Sequence, residues 1–270
     1  MQQQAGYLRQ TQVCFSRCVR TFMNDRGWKC FISVALIMVI IGLVVGDAMF
    51  VEYGATKNGA FALVCAGIWI GIFNSIRSIC RERDIVRQEH RTGLNVWSYV
   101  TAHWLFEACL CAAECVIVTL LVAVMSGDHF VEEGVIGPAI LDMYISFFCI
   151  TFSSDSLGLL ISSIVRTENS AMTIMPFALI VQLVMSGTIF SLEGVTDAIS
   201  NLTISRWGLD AICSVAHVNK MAEVVLGYVE PLAEQDSTAG NLVHLWFLLV
   251  TFAVAYGVLS AVALLFVDER

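Results

Sequence analysis

Arg83, Arg87 and Arg91 stand four residues apart in the densest charge cluster of the chain, which runs from Arg81 to Gly93. On a helix, positions i, i+4 and i+8 share a side, so the three guanidinium groups form a stripe. Glu82, Asp84 and Glu89 are interleaved with them, and Glu82 and Glu89, seven apart, share another direction. Fixed charges of this kind dock partners rather than break bonds. Two occupants stay open: a groove in a soluble protein, or anionic lipid headgroups, which attract basic segments beside a membrane. The acids between the arginines suit a protein groove better.

A second group of chemistry-bearing residues lies inside apolar runs. Glu107 and Glu114 are seven apart, hence on one helix face, and Asp155 is flanked by Ser153, Ser154 and Ser156. A charge at membrane depth costs at least about 2.5–3.5 kcal/mol, so such residues face protein or water. They could bind a cationic or polar substrate or relay protons. More plainly, Glu107 could reach the interface, and Asp155 could be protonated or hydrogen-bonded to its serines.

No hydrolytic chemistry is legible. A nucleotide-binding P-loop ends in Lys-Ser or Lys-Thr, but Lys29 precedes Cys30, Lys57 precedes Asn58 and Lys220 precedes Met221. The five histidines are scattered, and Cys14 and Cys18, although at i and i+4, have no further ligands near them. Neither catalysis, a bound metal or cofactor, nor a nucleic-acid partner is expected of this chain.

The elements that position these groups follow from composition. Hydrophobic residues make up 57% of 270 and charged ones 14%, and mean hydropathy is +0.76. A soluble chain carries about 25% charged residues, so this is an integral membrane protein. No cleavable signal peptide is apparent, because Arg9, Arg17, Arg20, Arg26 and Lys29 crowd the first 29 residues where an apolar core should lie. The cysteines fall mostly inside apolar runs and read as small hydrophobes.

A membrane span needs about 20 apolar residues. Six such segments are expected, over about 30–50, 60–79, 100–125, 136–165, 171–192 and 242–267, giving an all-α membrane protein. Five spans result if the fourth and fifth form one broken hairpin. Residues 1–29 read as an amphipathic interfacial helix or as an ordinary basic flank, 80–98 as a connector, and 193–241 as an outer segment with re-entrant helices. All but Lys57, Arg206 and Lys220 of the fifteen Lys and Arg fall on one side if both termini are cytoplasmic, as the excess of basic residues on inner loops requires. The opposite side then holds Glu52, Asp128, Glu132, Glu133 and all seven acids of the outer segment.

Four blocks carry a family likeness, in order along the chain. They are Arg20-Thr21-Phe22 through Asp25-Arg26; Phe73-Asn74-Ser75 with Glu82-Arg83, Arg87 to Gly93 and Tyr99; Ser156-Leu157-Gly158-Leu159-Leu160-Ile161; and Pro176, Gln182 and Ser186-Gly187 leading to Ile204-Ser205-Arg206-Trp207-Gly208. Together they make the chain resemble the permease half of ATP-binding-cassette exporters of the type-2 class, particularly the G subfamily and its bacterial relatives. The 270 residues hold no ATPase, which the animal members carry on the same chain. Asp155 stands where a neutral amide is common, and Glu107 and Glu114 add charge to the third span.

The resemblance implies a permease that dimerises, as a homodimer or with a related half, around a central path in a bacterial cytoplasmic membrane. ATP and Mg would sit on a partner ATP-binding-cassette ATPase. Coupling to it would fall to Glu82, Arg83, Asp84, Ile85, Arg87, Glu89 and Arg91. The path would be lined by Ile70, Phe73 and Asn74 from the second span and Thr173, Phe177, Ile180 and Val181 from the fifth. Met185, Ile189 and Phe190 would form an outer gate. Any one of these could instead simply pack helix on helix. Two other functions stay open: an ion-coupled secondary transporter using Glu114 and Asp155, although no inverted repeat is visible, and a membrane scaffold recruited through the arginine stripe.

Overall fold

A computed structural model describes residues 6–45, 48–131, 133–190 and 192–268. Glu132 and Arg270, used above to orient the chain, lie outside them. Among the described residues every regular element is helical. The first five α-helices are α1 (Tyr7–Asn24), α2 (Lys29–Val45), α3 (Tyr53–Ser75), α4 (Ser78–Arg91) and α5 (Val96–Ser126). Then come α6 (Ala139–Ile164), α7 (Glu168–Val184), α8 (Val195–Ser200), α9 (Ile204–Val215), α10 (Ala222–Val225) and α11 (Ala239–Asp268).

Four stretches are long and apolar enough to cross a membrane: Tyr53–Arg91, which takes in α3 and α4, Val96–His129, Ala139–Ile164 and Ala239–Phe266. α1 and α2, bent by 69° between them, pass the same test only as a pair, so the count is four, or five if that pair is one span. The chain is therefore an all-helical, multi-pass membrane protein. α2 and α7 have 17 residues each, a rise of about 26 Å, just short of the ~30 Å hydrocarbon core. α7 carries Pro176 internally and ends at Val184, eight residues before the expected boundary at 192, and Gly187 follows with φ of 78°. The bent pair lies at α1–α2, not between the fourth and fifth expected spans.

α3 and α6 form the centre of the bundle, and α11 lies along the other side of α6. Glycine permits the α3–α6 approach. A Cβ on Gly71 would stand 2.2 Å from the Thr151 carbonyl oxygen, and one on Gly158 would stand 2.2 Å from Ser75 Oγ. Small residues let backbones touch where lipid provides no hydrophobic drive, and hydroxyls then act as interhelical glue. Accordingly Ser75 Oγ donates to the Asp155 carbonyl at 2.6 Å, Ser153 Oγ donates to the Leu249 carbonyl of α11 at 2.6 Å, and Trp246 Nε1 donates to Ser146 Oγ at 2.9 Å.

α2 is apolar all round, with only Val34 and Met38 buried, as befits a helix facing lipid. α9 is the reverse: ten of its residues, from Ile204 to Val215, are buried against α3, α6 and α11. Its first turn is capped from α7, where Gln182 Oε1 accepts from the Ser205 amide at 3.1 Å. That contact joins two residues of the fourth likeness block. The loop entering α6 is tied by Asp142, which accepts from the Val135 and Ile136 amides at 2.7 and 2.9 Å.

Candidate functional site

α4 forms because its charges are helix-compatible and its three buried residues, Ile79, Cys80 and Val86, recur on one side. The helix ends at Arg91, and the chain turns through Thr92 and Gly93, whose φ is 111°. The acidic direction seen in the sequence is occupied by α1. Arg17 donates to both oxygens of Glu89 at 2.9 Å and pairs with Glu82 at 3.3 Å. Glu82 also accepts from the buried Tyr99 hydroxyl at 3.2 Å and lies 3.7 Å from His103 Nε2. Further contacts extend the strap. Gln10 Nε2 donates to the Gly93 carbonyl and its Oε1 accepts from the Asn95 amide, while Asp25 pairs with Arg81 at 2.7 Å.

The arginine stripe divides. Four residues turn a helix through about 400°, so each step of the stripe drifts by roughly 40°. Arg83 falls at the edge of the buried side, and its guanidinium donates to the carbonyls of Val165 and Ser163 at the end of α6. Asp84, Ile85, Arg87 and Arg91 face outward, Ile85 being 53% exposed. Three residues of this site, Gln10, Arg17 and His103, have no sequence signal tying them to the cluster, whereas Tyr99 belongs to the same likeness block. The shared direction of Glu82 and Glu89 is the signal that a cation must come from elsewhere.

The three acids inside apolar helices are all buried: Glu107 and Glu114 at 2% and 1% exposure and Asp155 at 0%. Glu107 therefore does not reach the interface. Its Oε1 accepts from Ser78 Oγ at 3.1 Å, and Glu114 Oε2 accepts from Asn74 Nδ2 at 2.7 Å. Asp155 is not hydrogen-bonded to its flanking serines. Ser153, Ser154 and Ser156 donate instead to the carbonyls of Cys149, Ile150 and Phe152, the back-bonding to i−4 that helical serine favours. Both Asp155 carboxylate oxygens lack a hydrogen-bond partner among the described residues.

The residues named for a path fall into two settings. Ile70 is buried in the core, whereas Phe73 is 44% exposed beside the half-buried Asn74. On α7, Thr173, Phe177, Ile180 and Val181 all lie on the exposed side. Ile189 and Phe190 are exposed and Met185 half-buried. No group of three or more metal-ligating side chains occurs among the described residues.

A profile of the ABC-2 type transporter family matches residues 9–216, from within α1 to just past α9. The chain belongs to the ABC-2 type transporter family. It is also 25% identical over 264 residues to the ABC transporter ATP-binding/permease protein Rv1747 of Mycobacterium tuberculosis. That alignment covers 93% of this chain and 30% of the relative, so the chain spans under a third of the relative's length. An ABC-2 type transporter domain is a membrane permease domain that is not itself catalytic. The strapped α4 and the α3–α6 crossing both fall inside the matched residues of the ABC-2 type domain.

Proposed function

We propose that this chain is the transmembrane permease subunit of an ATP-driven exporter. It has six membrane segments, with α2 and α7 completing the longer four, and both termini face the cytoplasm of a bacterial cell. Two permease halves enclose a central path, since closed two-fold symmetry is the common solution for like subunits. MgATP is bound and hydrolysed by partner ATP-binding-cassette subunits or domains.

The observation that carries this reading is the state of α4. Its acidic side is bound to α1 through Arg17, while Asp84, Ile85, Arg87 and Arg91 are left outward. A helix braced on one side and bare on the other, with mixed charge around an exposed isoleucine, suits a groove on a soluble motor better than a lipid surface. The path is drawn along Thr173, Phe177 and Val181, which follow one another at i+4 on the exposed side of α7. Phe73 and Asn74 contribute from α3, and Met185, Ile189 and Phe190 close the outer end. The test is ATP-dependent transport and ATPase activity of the reconstituted complex with Arg87→Glu and Arg91→Glu combined. Unchanged coupling in that variant would refute the assignment of α4.

The burial of Glu114 and Asp155 gives one specific reason to hold a second reading, ion-coupled transport. Flux that persists without ATP and disappears in Asp155→Asn would favour it.

A further inference from the structure

At the bend between α1 and α2 the helices part to leave a cavity of about 410 Å³, walled on its far side by α3, α4 and α5. The bend is local: Arg26 takes a left-handed φ of 55°, and the α2 helix starts at Lys29. Three groups line the cavity in an ordered way. Arg26, Lys29 and Arg77 stand at its exposed rim, and none of them has an ion-pair partner among the described residues. Phe22, Phe106 and Leu110 give it an apolar wall. Glu107 lines it from the buried end, 2% exposed, with Oε1 held by Ser78. Its Oε2 is without a hydrogen-bond partner among the described residues and sealed from solvent, so a ligand reaches it once the side chain turns toward the opening.

A buried carboxylate oxygen left unpartnered is costly, and a donor that reaches it gains a charge-assisted hydrogen bond. The other acids at the cavity are already engaged, Asp25 by Arg81 and Glu82 by Arg17. A simple cation would have to pass three unpaired cations at the rim, and a simple anion would meet Glu107. A zwitterion satisfies both ends, with its anionic group at the rim and its ammonium on Glu107. The volume is at the small end for ligand sites, roughly 300–1,000 Å³, enough for a headgroup but not for a whole lipid. Chains could lie outside it along α2, where Ile32 and Leu36 are 56% and 61% exposed.

We propose that this cavity binds a phosphate-and-ammonium zwitterion of the phosphoethanolamine type, with Glu107 Oε2 accepting from the ammonium and Arg26, Lys29 and Arg77 holding the phosphate. The ligand is either the headgroup of a membrane aminophospholipid or the free zwitterion. The site is separate from the outward α4 face and from the α7 face, but Phe73 and Asn74, placed on the path above, also line it. Headgroup binding is read without ATP or transport, so it is tested apart from that reading.

The test is native mass spectrometry of the purified full chain in detergent, titrated in turn with dioleoyl phosphatidylethanolamine, dioleoyl phosphatidylglycerol and phosphoethanolamine. Phosphatidylethanolamine or phosphoethanolamine should bind at least about tenfold more tightly than phosphatidylglycerol, and Glu107→Gln should remove about that factor. Retention of phosphatidylethanolamine alone marks the bilayer as the source, and saturation by phosphoethanolamine alone marks the soluble pool. Ser33→Trp guards against a misfolded Glu107 variant. Ser33 is an exposed lining residue, so an indole there fills the mouth and should abolish the preference by itself. Equal binding of the two phospholipids to the wild-type chain overturns the proposal. So does a preference that survives Ser33→Trp or a correctly folded Glu107→Gln.

Discussion

Arg17 of α1 donates to both carboxylate oxygens of Glu89 of α4, a pair 72 residues apart in sequence, at 2.9 Å each. The same guanidinium lies 5.7 Å over the ring of Tyr99, whose hydroxyl donates to Glu82. One cation therefore fastens α1 to α4 and to the start of α5.

Arg17→Ala should release that fastening. The pair is neither exposed nor fully buried, with side chains 30% and 40% accessible. Its coupling therefore lies between the values for surface ion pairs and for buried charged hydrogen bonds, about 1–2 kcal/mol. A double-mutant cycle with Glu89→Gln, read by thermal unfolding in detergent, measures it. Amide exchange should rise across residues 7–24, and a cycle that closes at zero would dismiss the strap.

The arginines of α4 should separate by role. Combined Arg87→Glu and Arg91→Glu should leave stability within about 0.5 kcal/mol, as exposed substitutions do, while ATPase activity no longer responds to the permease. Arg83→Ala should instead cost about 1–3 kcal/mol, because the carbonyls of Ser163 and Val165 lose their donor. Equal stability losses in both variants would count against this division.

The α3–α6 crossing tolerates no side chain at its closest point. Gly71→Val should destabilise by about 1–3 kcal/mol or more through overpacking, since its added atoms meet the Thr151 carbonyl and the Asp155 amide. Gly54→Val, at the open end of the same helix with nothing within 4 Å of an added Cβ, is the control and should be nearly neutral. Unfolding temperatures of the two variants decide the matter.

Asp210, in the outer segment, makes stability depend on pH. Burial pushes its carboxyl up to about 6, against the hydrogen bond from Gln235 that favours the charged form. The ordinary value is about 3.9, so the fold favours the protonated group. Its contribution is complete below the ordinary value and fades as pH rises through about 6. Thermal stability should therefore be greater at pH 5 than at pH 8, and Asp210→Asn should flatten the difference. A slope that persists unchanged in that variant assigns the effect elsewhere.

Much of the class was legible because it rests on local pattern. Unbroken apolar runs announce helices in lipid, and the charge cluster at helical spacing announces α4. The ends of spans were less legible, since α7 stops at Val184 where a turn, not a loss of apolarity, closes it. Partnerships across the bundle were not legible at all. Nothing near Arg17 in sequence points to Glu89, and the serines beside Asp155 look like its ligands until their hydroxyls are found on backbone carbonyls. Gly71 carries no visible signal either, because its role exists only once Thr151 lies against it. The drift of the arginine stripe was calculable beforehand, but which edge of it faced protein depended on where α6 ends.

The touching backbones at Gly71 also leave α3 no room to slide on α6. The break between α3 and α4 is held to the same neighbour, because the Ile79 and Cys80 amides donate to Ser162 Oγ of α6 at 3.1 and 3.0 Å. Both segments are therefore bolted to one helix, and a load on either must pass through α6.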